Sequence, residues 1–375
     1  MTKQINQQGF SLEYDVHAFP ALPAYSIGGD SYQELKRLLA PLGKRVFLLG
    51  GEKALRAGLE QVQKALADSD VQLTVRTYTG EPTRSQARQL AEEVLGLGVN
   101  VVLGMGGGRA LDAAKAVGHY ANVPVFTLPT IPATCAAISA LSVMYDEDSK
   151  DQGPFLFLRH PPVHVLLHTG ILAASPAKYL RAGIGDSISK HVESHFKAGD
   201  HTELTYEDLL GLSIAGMGYE TLMRIGRAAM QDAKAGIDSP VYRLACQCCI
   251  ITPGLVSILV KEALNGALAH ALYYTFKYHH GIADCLHGEV VAWGSLVQLV
   301  LEGKAEKALK LKSLLSSLEI PVSLEQMGVT LKEVLPHIRE VLAQPDMLSA
   351  PYQISEYMVQ HALEKTEWLS IRKGG

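Results

Sequence analysis

The chain has 375 residues, which exceeds one typical domain and suits two. Hydrophobic residues make up 47% and charged residues 19%, an ordinary globular balance with enough apolar material for a core. The formal net charge is only −4 and both signs are interspersed, which argues against nucleic acid or an anionic membrane as a partner.

The N-terminal stretch, MTKQINQQGFSLEYD, is polar. It lacks the apolar core of a signal peptide and the Arg and Ser richness of a transit peptide. The longest apolar candidate for a membrane span, near residues 254–260, runs into Lys261 and Glu262, so we expect no segment of membrane-spanning length. The sequence thus predicts a soluble, cytoplasmic protein that does not bind membranes.

An odd number of cysteines gives no disulfide framework in a chain of this length. The five are Cys135, Cys246, Cys248, Cys249 and Cys285. Cys246 and Cys249 form one C-x-x-C, but it has no second pair and lies in a helix-like stretch. Structural zinc is therefore the weaker interpretation, and small apolar core residues are the better one.

Strand and helix patterns alternate through the first half of the chain. Apolar, β-rich runs predict strands at residues 45–49, 71–78, 100–105 and 123–128. Helical spacing predicts helices between them, at residues 52–66, 84–97 and 110–121. Alternation with short connections indicates a mainly parallel sheet covered on both faces.

After Ser175 and Pro176 the period becomes almost entirely helical. Long amphipathic stretches cover residues 204–233, 242–278, with a break predicted at Pro253, and 287–315. The predicted fold class is therefore an α/β domain over residues 1–175 followed by an all-α domain over residues 176–375. A cleft between them is the natural place for an active site.

Two loops follow strands of the first half. Gly104-Met105-Gly106-Gly107-Gly108 opens a helix, where free backbone N–H groups favour a pyrophosphate; a tight structural turn is the alternative. Asp112 and Lys115 follow at helical spacing and have a solvated ion pair as their alternative. The second loop carries Thr130 and Thr134 beyond the next strand, and could be merely rich in β-branched residues. Together the two loops favour nucleotide binding.

Three residues form a candidate metal site. Asp186 follows Gly183-Ile184-Gly185 and is predicted at a helix N-terminus, where it could be only a cap. His270 lies on an apolar helix, where a hydrogen-bonded core histidine is more common, and His287 at the start of the next helical run could also be a cap. Together, two imidazoles and one carboxylate suit Zn²⁺ or Fe²⁺ with an open position. Their spacing along the chain does not show that they converge.

Several motifs, in this order, resemble the iron-containing alcohol dehydrogenase superfamily and in particular its glycerol dehydrogenase-like branch: GGGRALDAAK, LPTIPATCAAISALSVMY, AGIGD, AHALY and LHGEVVAWG. The resemblance extends over nearly the whole chain. It implies a dehydroquinate synthase-like fold, with an α/β dinucleotide-binding domain, a helical metal-binding domain and a deep cleft between them. It also implies a homo-oligomer, a dimer or an octamer.

The resemblance also implies roles for single residues. The metal ligands, which are also the catalytic residues, would be Asp186, His270 and His287. With NAD(P) as cofactor, the implied contacts are Gly106, Gly107, Gly108, Thr130, Thr134, Ser139, Leu141 and Tyr145. Beyond the resemblance, we also expect cofactor contacts at Asp112 and Lys115, which follow the glycine loop, and at Gly50 and Lys53, which follow the first strand. Cys135 and Tyr273 would line the substrate pocket.

Two departures from the family pattern concern the substrate. Glycerol dehydrogenases have an Asp that contacts the polyol where this chain has Cys135, and members that act on 2-oxo and 2-hydroxy acids share the T-C-A-A version. Relatives often have a second His where this chain has Tyr273 and Tyr274. We therefore expect a small 2-hydroxy or 2-oxo acid as substrate, with glycerol as the alternative.

A third departure concerns the cofactor. NAD-preferring relatives have an Asp after the first predicted strand, for the adenosine ribose. This chain has Gly50-Gly51-Glu52-Lys53, so Lys53 could meet the 2′-phosphate of NADP while Glu52 could still serve the ribose. The preference leans towards NADP.

The expected activity is reversible hydride transfer between the nicotinamide and a carbon that bears a hydroxyl or carbonyl group. A dehydroquinate synthase-like lyase or a glycerol-1-phosphate dehydrogenase would need a cluster of cations, and the helices around the two histidines offer only Lys261 and Lys277. A non-catalytic sensor on the same scaffold would be expected to lack a metal ligand, and all three are present.

Overall fold

The computed structural model describes residues 19–148, 153–199, 203–280, 282 and 285–369. The polar stretch at residues 1–15, from which no targeting signal is expected, lies outside these residues. The chain divides into two compact units, Met1–Ser175 and Pro176–Gly375.

The first unit is an α/β structure. Its strands are β1 (Ala24–Gly28), β2 (Arg45–Gly51), β3 (Gln72–Tyr78), β4 (Val101–Gly106), β5 (Val125–Pro129), β6 (Leu141–Ser142), β7 (Leu156–Phe157) and β8 (His164–His168). Its helices are α1 (Glu34–Leu39), α2 (Glu52–Leu66), α3 (Arg84–Gly96), α4 (Gly108–Ala121) and α5 (Thr169–Ala173). The four strands and three helices predicted from periodicity are present, with bounds that differ by a few residues at most. The short strands β1 and β8 were not predicted.

Six of these strands form one parallel sheet in the order β1-β8-β5-β4-β2-β3, and β6 and β7 form a separate antiparallel pair. The chain leaves β2 towards β3 on one side but leaves β4 towards β5 on the other. The strand order therefore reverses between β2 and β4. In open parallel sheets, ligands bind beyond the carboxyl ends of the strands at such a reversal.

Alternating side chains of β2 show how the sheet is covered on both faces. Val46 and Leu48 belong to a buried cluster with residues of α1 and α2. Phe47 and Leu49 belong to another buried cluster, with residues of α3 and α4. A strand buried on both faces is a continuous apolar run, which is why residues 45–49 were recognisable in the sequence.

The second unit is helical throughout its described residues. Its helices are α6 (Lys178–Ala198), α7 (Tyr206–Ala235), α8 (Pro240–Leu259), α9 (Leu268–His280), α10 (His287–Leu301), α11 (Ala305–Ser317), α12 (Leu331–Val334), α13 (Ile338–Ala343) and α14 (Glu356–Glu367). One core cluster joins α9 and α10 to the helices near the C-terminus, with Trp293 and Phe276 among its largest buried side chains. The predicted fold class is confirmed: an α/β region is followed by an all-helical one.

The break predicted at Pro253 is wrong. Helix α8 continues through Pro253, and the chain leaves the helix only after Leu259. Proline removes one N–H from the helical ladder. The freed carbonyl is that of Cys249, and the hydroxyl of Ser187 on α6 donates to the adjacent Cys248 carbonyl at 2.7 Å, so a neighbouring helix bonds to α8 in this turn.

Helix α8 also corrects the expectation that no segment reaches membrane-spanning length. By length and composition alone this helix could cross a bilayer. It begins at Pro240, earlier than the apolar run at residues 254–260 suggested. Most of its side chains are buried within the helical unit, including Cys246, Cys249 and Val256, as in the core helix of a folded domain.

Candidate metal centre and nucleotide-binding loops

Asp186 lies in the middle of α6, which corrects its predicted place at a helix N-terminus. The neighbouring glycines suggested a turn, but they serve a close contact between helices. A Cβ atom on Gly185 would lie 2.1 Å from the Gly288 carbonyl oxygen, and one on Gly288 would lie 1.8 Å from the Ala182 carbonyl oxygen. Glycine at both positions therefore allows the backbones of α6 and α10 to touch.

This helix contact brings the Asp186 carboxylate to His287. The imidazole Nε2 of His287 lies 3.4 Å from Asp186 Oδ1, and His287 is the first residue of α10, as the sequence predicted. The start of α10 is also tied to α6 by Glu289. That buried carboxylate accepts the Leu286 N–H at 2.8 Å and pairs with Arg181 of α6 at 2.5 Å.

His270 is held in one orientation by Glu193, a residue that the sequence interpretation missed. The His270 Nδ1 donates to Glu193 Oε2 at 2.5 Å. The other carboxylate oxygen accepts the backbone N–H groups of His270 and Ala267, at 2.9 and 2.8 Å. Because Nδ1 is engaged, Nε2 is the nitrogen available to a metal. The only sequence signal for Glu193 is its position two helical turns after Asp186.

The three predicted ligands converge. Asp186, His270 and His287 each offer one ligand atom, and these atoms lie within 4.8 Å of one another. Asp186 and His270 are buried, at 6% and 9% exposed, whereas the side chain of His287 is 29% exposed, so the set opens to solvent on the His287 side. A buried carboxylate with two imidazoles, one of them fixed by a second carboxylate, is a donor set that fits Zn²⁺ or Fe²⁺.

The local charges favour an ionised carboxylate at this place. Burial disfavours the Asp186 anion, but the hydrogen bond from His287 and the charges of His287, His270 and Lys190 outweigh it, and the pKa of Asp186 lies below its ordinary value. Burial likewise disfavours the Glu193 anion, but His270 outweighs it and lowers the pKa of Glu193. Burial opposes charge on His270 too, yet Glu193 raises its pKa.

Tyr273 adjoins the ligand set. Its ring meets the His287 ring edge to face, with centroids 4.4 Å apart, and the Tyr274 ring lies 6.1 Å from that of His270. The Lys277 ammonium lies 5.5 Å from the centroid of the Tyr273 ring. An aromatic ring therefore stands beside His287, and a cation stands beside that ring.

The C-x-x-C cysteines do not form a metal site among the described residues. Cys246 and Cys249 are free, buried thiols, and neither joins a group of three metal-ligating side chains in that part of the chain. Burial raises the pKa of Cys246 to about 12 and that of Cys249 well above its ordinary value, so both stay protonated. They are core residues of α8.

The glycine loop connects β4 to α4. Gly106 has a φ of +149°, in the region that favours glycine, and a Cβ on it would lie 2.9 Å from the Cβ of Ala110. A Cβ on Gly107 would lie 2.7 Å from Ile131 Cδ1. Gly107 is the N-cap of α4 and provides no side-chain cap, and Gly108 is the first helical residue. The first N–H groups of α4 are thus left for another acceptor.

The loop from β2 to α2 lies beside the glycine loop. A Cβ built on Gly106 would be 3.9 Å from the Gly51 nitrogen, and Gly51 caps α2 without a side chain. A Cβ on Gly50 would lie 2.8 Å from Leu55 Cδ2, which explains a glycine there. Lys53 is exposed on the first turn of α2, and Glu52 next to it pairs with Arg56.

Asp112 and Lys115 form a buried pair, so the interpretation as a solvated pair is wrong. Their charged groups are 3.0 Å apart, and Lys115 is 1% exposed. The Lys115 ammonium also donates to Ser139 Oγ at 3.1 Å and to the Leu141 carbonyl. The structure therefore brings together four of the predicted cofactor residues, Asp112, Lys115, Ser139 and Leu141. Their contacts hold residues 139–141, which follow the second loop, against α4.

The second loop contacts the first. The N–H of Thr130 donates to the Gly106 carbonyl at 3.1 Å. Thr134 Oγ1 accepts the Ala136 N–H and would lie 3.7 Å from a Cβ on Gly108. Cys135 follows, partly buried, at the start of a short 3₁₀ turn.

Tyr145 lies against the segment that follows β3. It forms an isolated bridge with Thr83, which caps α3, and its N–H donates to the Pro82 carbonyl at 2.8 Å. This places Tyr145 beyond the end of the edge strand β3.

Comparison with known proteins identifies the class of this chain. A family model described as iron-containing alcohol dehydrogenase matches residues 23–168. The glycerol dehydrogenase of Escherichia coli O6:H1 is 30% identical over 325 residues, covering 85% of this chain and 86% of that protein. Hydroxycarboxylate dehydrogenase A of Escherichia coli K12 is 30% identical over 252 residues, covering 67% and 69%.

A solved structure agrees. The crystal structure of glycerol dehydrogenase from Schizosaccharomyces pombe matches with a TM-score of 0.85 at 24% identity, over 95% of this chain and 92% of that one. The chain is therefore an oxidoreductase that acts on CH–OH groups. It belongs to the iron-containing alcohol dehydrogenase family, in the glycerol dehydrogenase-like branch, which confirms the resemblance seen in the sequence.

Proposed function

We propose that this protein transfers a hydride reversibly between NAD(P) and a small alcohol or carbonyl substrate, with a divalent metal held by Asp186, His270 and His287. The observation that carries the proposal is the convergence of these three ligand atoms within 4.8 Å, with Asp186 and His270 buried. Membership of a family of alcohol dehydrogenases supplies the reaction class.

The protein residues prepare this site for a metal and a substrate oxygen. When bound, Zn²⁺ or Fe²⁺ supplies Lewis acidity towards the oxygen of the substrate. Asp186 contributes the negative charge, and Glu193 keeps the proton of His270 on Nδ1, so that Nε2 presents its lone pair. The Tyr273 ring packs edge to face with the His287 ring and restricts the rotation of that imidazole.

The two loops of the first unit are proposed to hold the dinucleotide. The uncapped N–H groups at the start of α4 suit the pyrophosphate, and the cradle of Gly106 and Gly107 has no room for side chains. Lys115, being buried and engaged, positions the segment with Ser139 and Leu141. The exposed Lys53 favours NADP over NAD, since its ammonium can meet a 2′-phosphate.

The proposed substrate is a small 2-hydroxy or 2-oxo acid. Cys135 stands where glycerol dehydrogenases have an Asp for the polyol, and an anionic substrate would be repelled by that carboxylate but not by a thiol. The Lys277 ammonium over Tyr273 offers a cation to a substrate carboxylate. Glycerol is the second candidate, because several relatives are named glycerol dehydrogenase.

An absorbance assay of NADPH and NADH oxidation with a panel of 2-oxo acids, aldehydes and ketones, together with reverse assays on 2-hydroxy acids and glycerol, tests this function. We expect turnover of 2-oxo acids, faster with NADPH than with NADH. Turnover of glycerol alone would overturn the acid assignment, and no redox turnover with any compound would overturn the function.

Variants of the ligands test the metal assignment. His287→Ala and Asp186→Asn should lose bound metal, by elemental analysis, and lose activity by at least about a thousandfold while the far-ultraviolet circular dichroism is unchanged. His361→Ala, on the exposed face of α14, is the matched control and should keep both. Full activity in either ligand variant would contradict the assignment.

The proposal includes a small-molecule substrate and no macromolecular partner. A glycerol-1-phosphate dehydrogenase or a dehydroquinate synthase-like lyase needs free cations for an anionic substrate. The nearby Lys190 ammonium is not free, because it donates to the Asn265 carbonyl at 2.9 Å, so these alternatives have little support. The cytoplasmic location and the homo-oligomer stay predictions.

A further inference from the structure

A second group of metal-ligating side chains lies elsewhere in the helical unit. His279, His337 and Glu340 each offer one ligand atom, and these three atoms lie within 4.8 Å of one another. We call them the outer histidine cluster. None of the three belongs to the ligand set of the proposed active site, so this cluster needs its own explanation.

We propose that the outer histidine cluster is a second, separate site for a divalent transition-metal ion of the Zn²⁺ type. Two imidazoles and one carboxylate are a donor set that Zn²⁺ accepts, with water completing a tetrahedral site. The inference does not depend on the proposed function, because it rests on other residues.

One nitrogen of each imidazole already points at the Glu340 carboxylate. Glu340 accepts one hydrogen bond from His279 Nε2 and another from His337 Nδ1, the latter at 2.9 Å. In a tetrahedral site with ligand bonds of about 2.1 Å, neighbouring donor atoms lie about 3.4 Å apart. Small outward shifts of these atoms, with rotation of the rings, would therefore open a space of the right size.

The imidazole rings favour a shared cation in a further way. They stack with centroids 3.8 Å apart and an interplanar angle of 20°. Each ring directs one nitrogen to the same carboxylate, so one ion can bind both neutral rings while Glu340 supplies the compensating negative charge.

The backbone around the cluster is held by the core. His279 lies in the last turn of α9, and His337 and Glu340 lie on either side of the start of α13. Ile338 and Val341, which flank Glu340, are buried in the same cluster as residues of α9. The Gln344 amide also donates to Thr275 of α9 at 3.2 Å. The two segments are therefore in place before any ion arrives, which lowers the cost of binding.

The cluster is open to solvent, so an ion can reach it. The side chains of His279 and His337 are 23% and 22% exposed, and that of Glu340 is 51% exposed. The exposed carboxylate of Glu340 predicts weaker binding than at the first site, where the Asp186 carboxylate is buried. An ion bound there would fasten the C-terminal turn of α9, the helix on which His270 lies, to α13.

Counting bound zinc by equilibrium dialysis against ZnCl₂ and elemental analysis tests the proposal. The full-length protein should bind two zinc ions per chain, and His337→Ala or Glu340→Gln should bind one, without loss of the tighter ion. In the His287→Ala background the remaining zinc should disappear when Glu340→Gln is added. His361→Ala, an exposed histidine on α14, should keep the wild-type count.

A thermal melt gives a readout that is independent of activity. Once the tighter site is loaded, additional Zn²⁺ should raise Tm by several degrees in the wild type and not in Glu340→Gln, whose exposed side chain can change with little effect on folding. One zinc per chain in the wild type, or an unchanged count and Tm response in both cluster variants, would overturn the proposal.

Discussion

Glu193 shows how one buried side chain can orient a proposed metal ligand without being a ligand itself. Its carboxylate accepts hydrogen bonds from His270 Nδ1 and from two backbone N–H groups at the start of α9. The imidazole is thereby fixed in both tautomer and direction. Partners of this kind commonly contribute one to two orders of magnitude to metal affinity.

Glu193→Gln should therefore weaken the metal site and leave the fold intact. The amide oxygen can still accept the backbone N–H groups or the imidazole, but it carries no charge to favour the tautomer. We expect zinc affinity and activity to fall by about 10–100-fold, with activity partly recovered in excess Zn²⁺. Competition with a chromophoric chelator measures the affinity.

The matched control is Glu306→Gln, an exposed glutamate at the start of α11. It should change neither quantity. Equal affinity in Glu193→Gln and the wild type would show that Glu193 only fills space.

The sequence supplied the three ligands but not the residues around them. Asp186, His270 and His287 were recognisable because they stand in family motifs, whereas Glu193 stands in none that was recognised. A solvated pair was an open alternative for Lys115, since helical spacing cannot tell a buried face from an exposed one. Its burial depends on Ser139 and Leu141, which approach only after the chain has passed through another strand.

At the scale of elements, the contact between α6 and α10 sets the distance from Asp186 to His287. That contact depends on two glycines that are far apart in the sequence, Gly185 and Gly288. Glycine usually signals a turn, and only the partner helix reveals its use in packing here. This is why the position of Asp186 was predicted wrongly. Proline likewise signals a helix break in the sequence, and only the structure shows that α8 continues through Pro253.

Gly288→Ala should separate the two helices and impair the metal site. A Cβ at this position would lie 1.8 Å from the Ala182 carbonyl oxygen, which is backbone and cannot move alone. We expect a loss of about 1–3 kcal/mol or more in the free energy of unfolding and a fall in zinc affinity. Chemical denaturation and zinc competition measure the two effects.

Gly216→Ala on α7 is the control, because its Cβ would come no closer than 4.0 Å to His191. This change should be neutral or stabilise by about 0.5–1 kcal/mol, as expected when Ala replaces Gly within a helix. Normal stability and metal binding in Gly288→Ala would refute the close contact of α6 and α10.

Helix α6 also carries a histidine that should make the protein sensitive to acid. Burial, followed by the charges of His195, Lys307 and Lys304, lowers the pKa of His191 to about 3. Its ring stacks on Tyr219 of α7 with centroids 4.4 Å apart. The residues whose charges affect this pKa are all cationic when charged, so none of them favours protonation of His191.

The consequence is a loss of stability as the pH falls from about 6.5 towards 3. In this window the unfolded chain takes up a proton at His191 and the folded chain does not, so protons favour unfolding. The slope from this residue is at most about 1.4 kcal/mol per pH unit. Above the ordinary pKa of histidine, it contributes no pH dependence.

His191→Phe keeps an aromatic ring on Tyr219 and removes the titration. Denaturation curves at a series of pH values should show a shallower fall in stability for the variant than for the wild type. An identical dependence in both proteins would show that His191 is protonated in the folded state. His361→Phe, at an exposed position, should leave the slope unchanged.

At the scale of the whole molecule, the proposed dinucleotide site and the proposed metal site each lie within one compact unit. The glycine loop and its neighbours all lie in the first unit, and the three metal ligands all lie in the second. The two kinds of period along the sequence predicted this division of secondary structure. What they could not predict is which residues meet inside each unit, because that depends on packing.

Removal of the metal should therefore abolish turnover and spare nucleotide binding. After chelation and dialysis, we expect no hydride transfer and a Kd for NADPH, measured by its fluorescence, within about threefold of the loaded enzyme. Zn²⁺ should restore activity. A large loss of NADPH binding on chelation would show that the metal also shapes the nucleotide site.

The location of all three ligands in one unit has a consequence for how the enzyme matures in the cell. Units of a protein tend to fold in turn as they emerge from the ribosome, the N-terminal one first. The nucleotide-binding loops are thus complete long before His287, the last ligand, has been translated. A newly made chain would therefore pass through a stage at which the proposed dinucleotide site is complete and the proposed metal site is not. Metal supply, rather than cofactor supply, would then set the final step of its maturation.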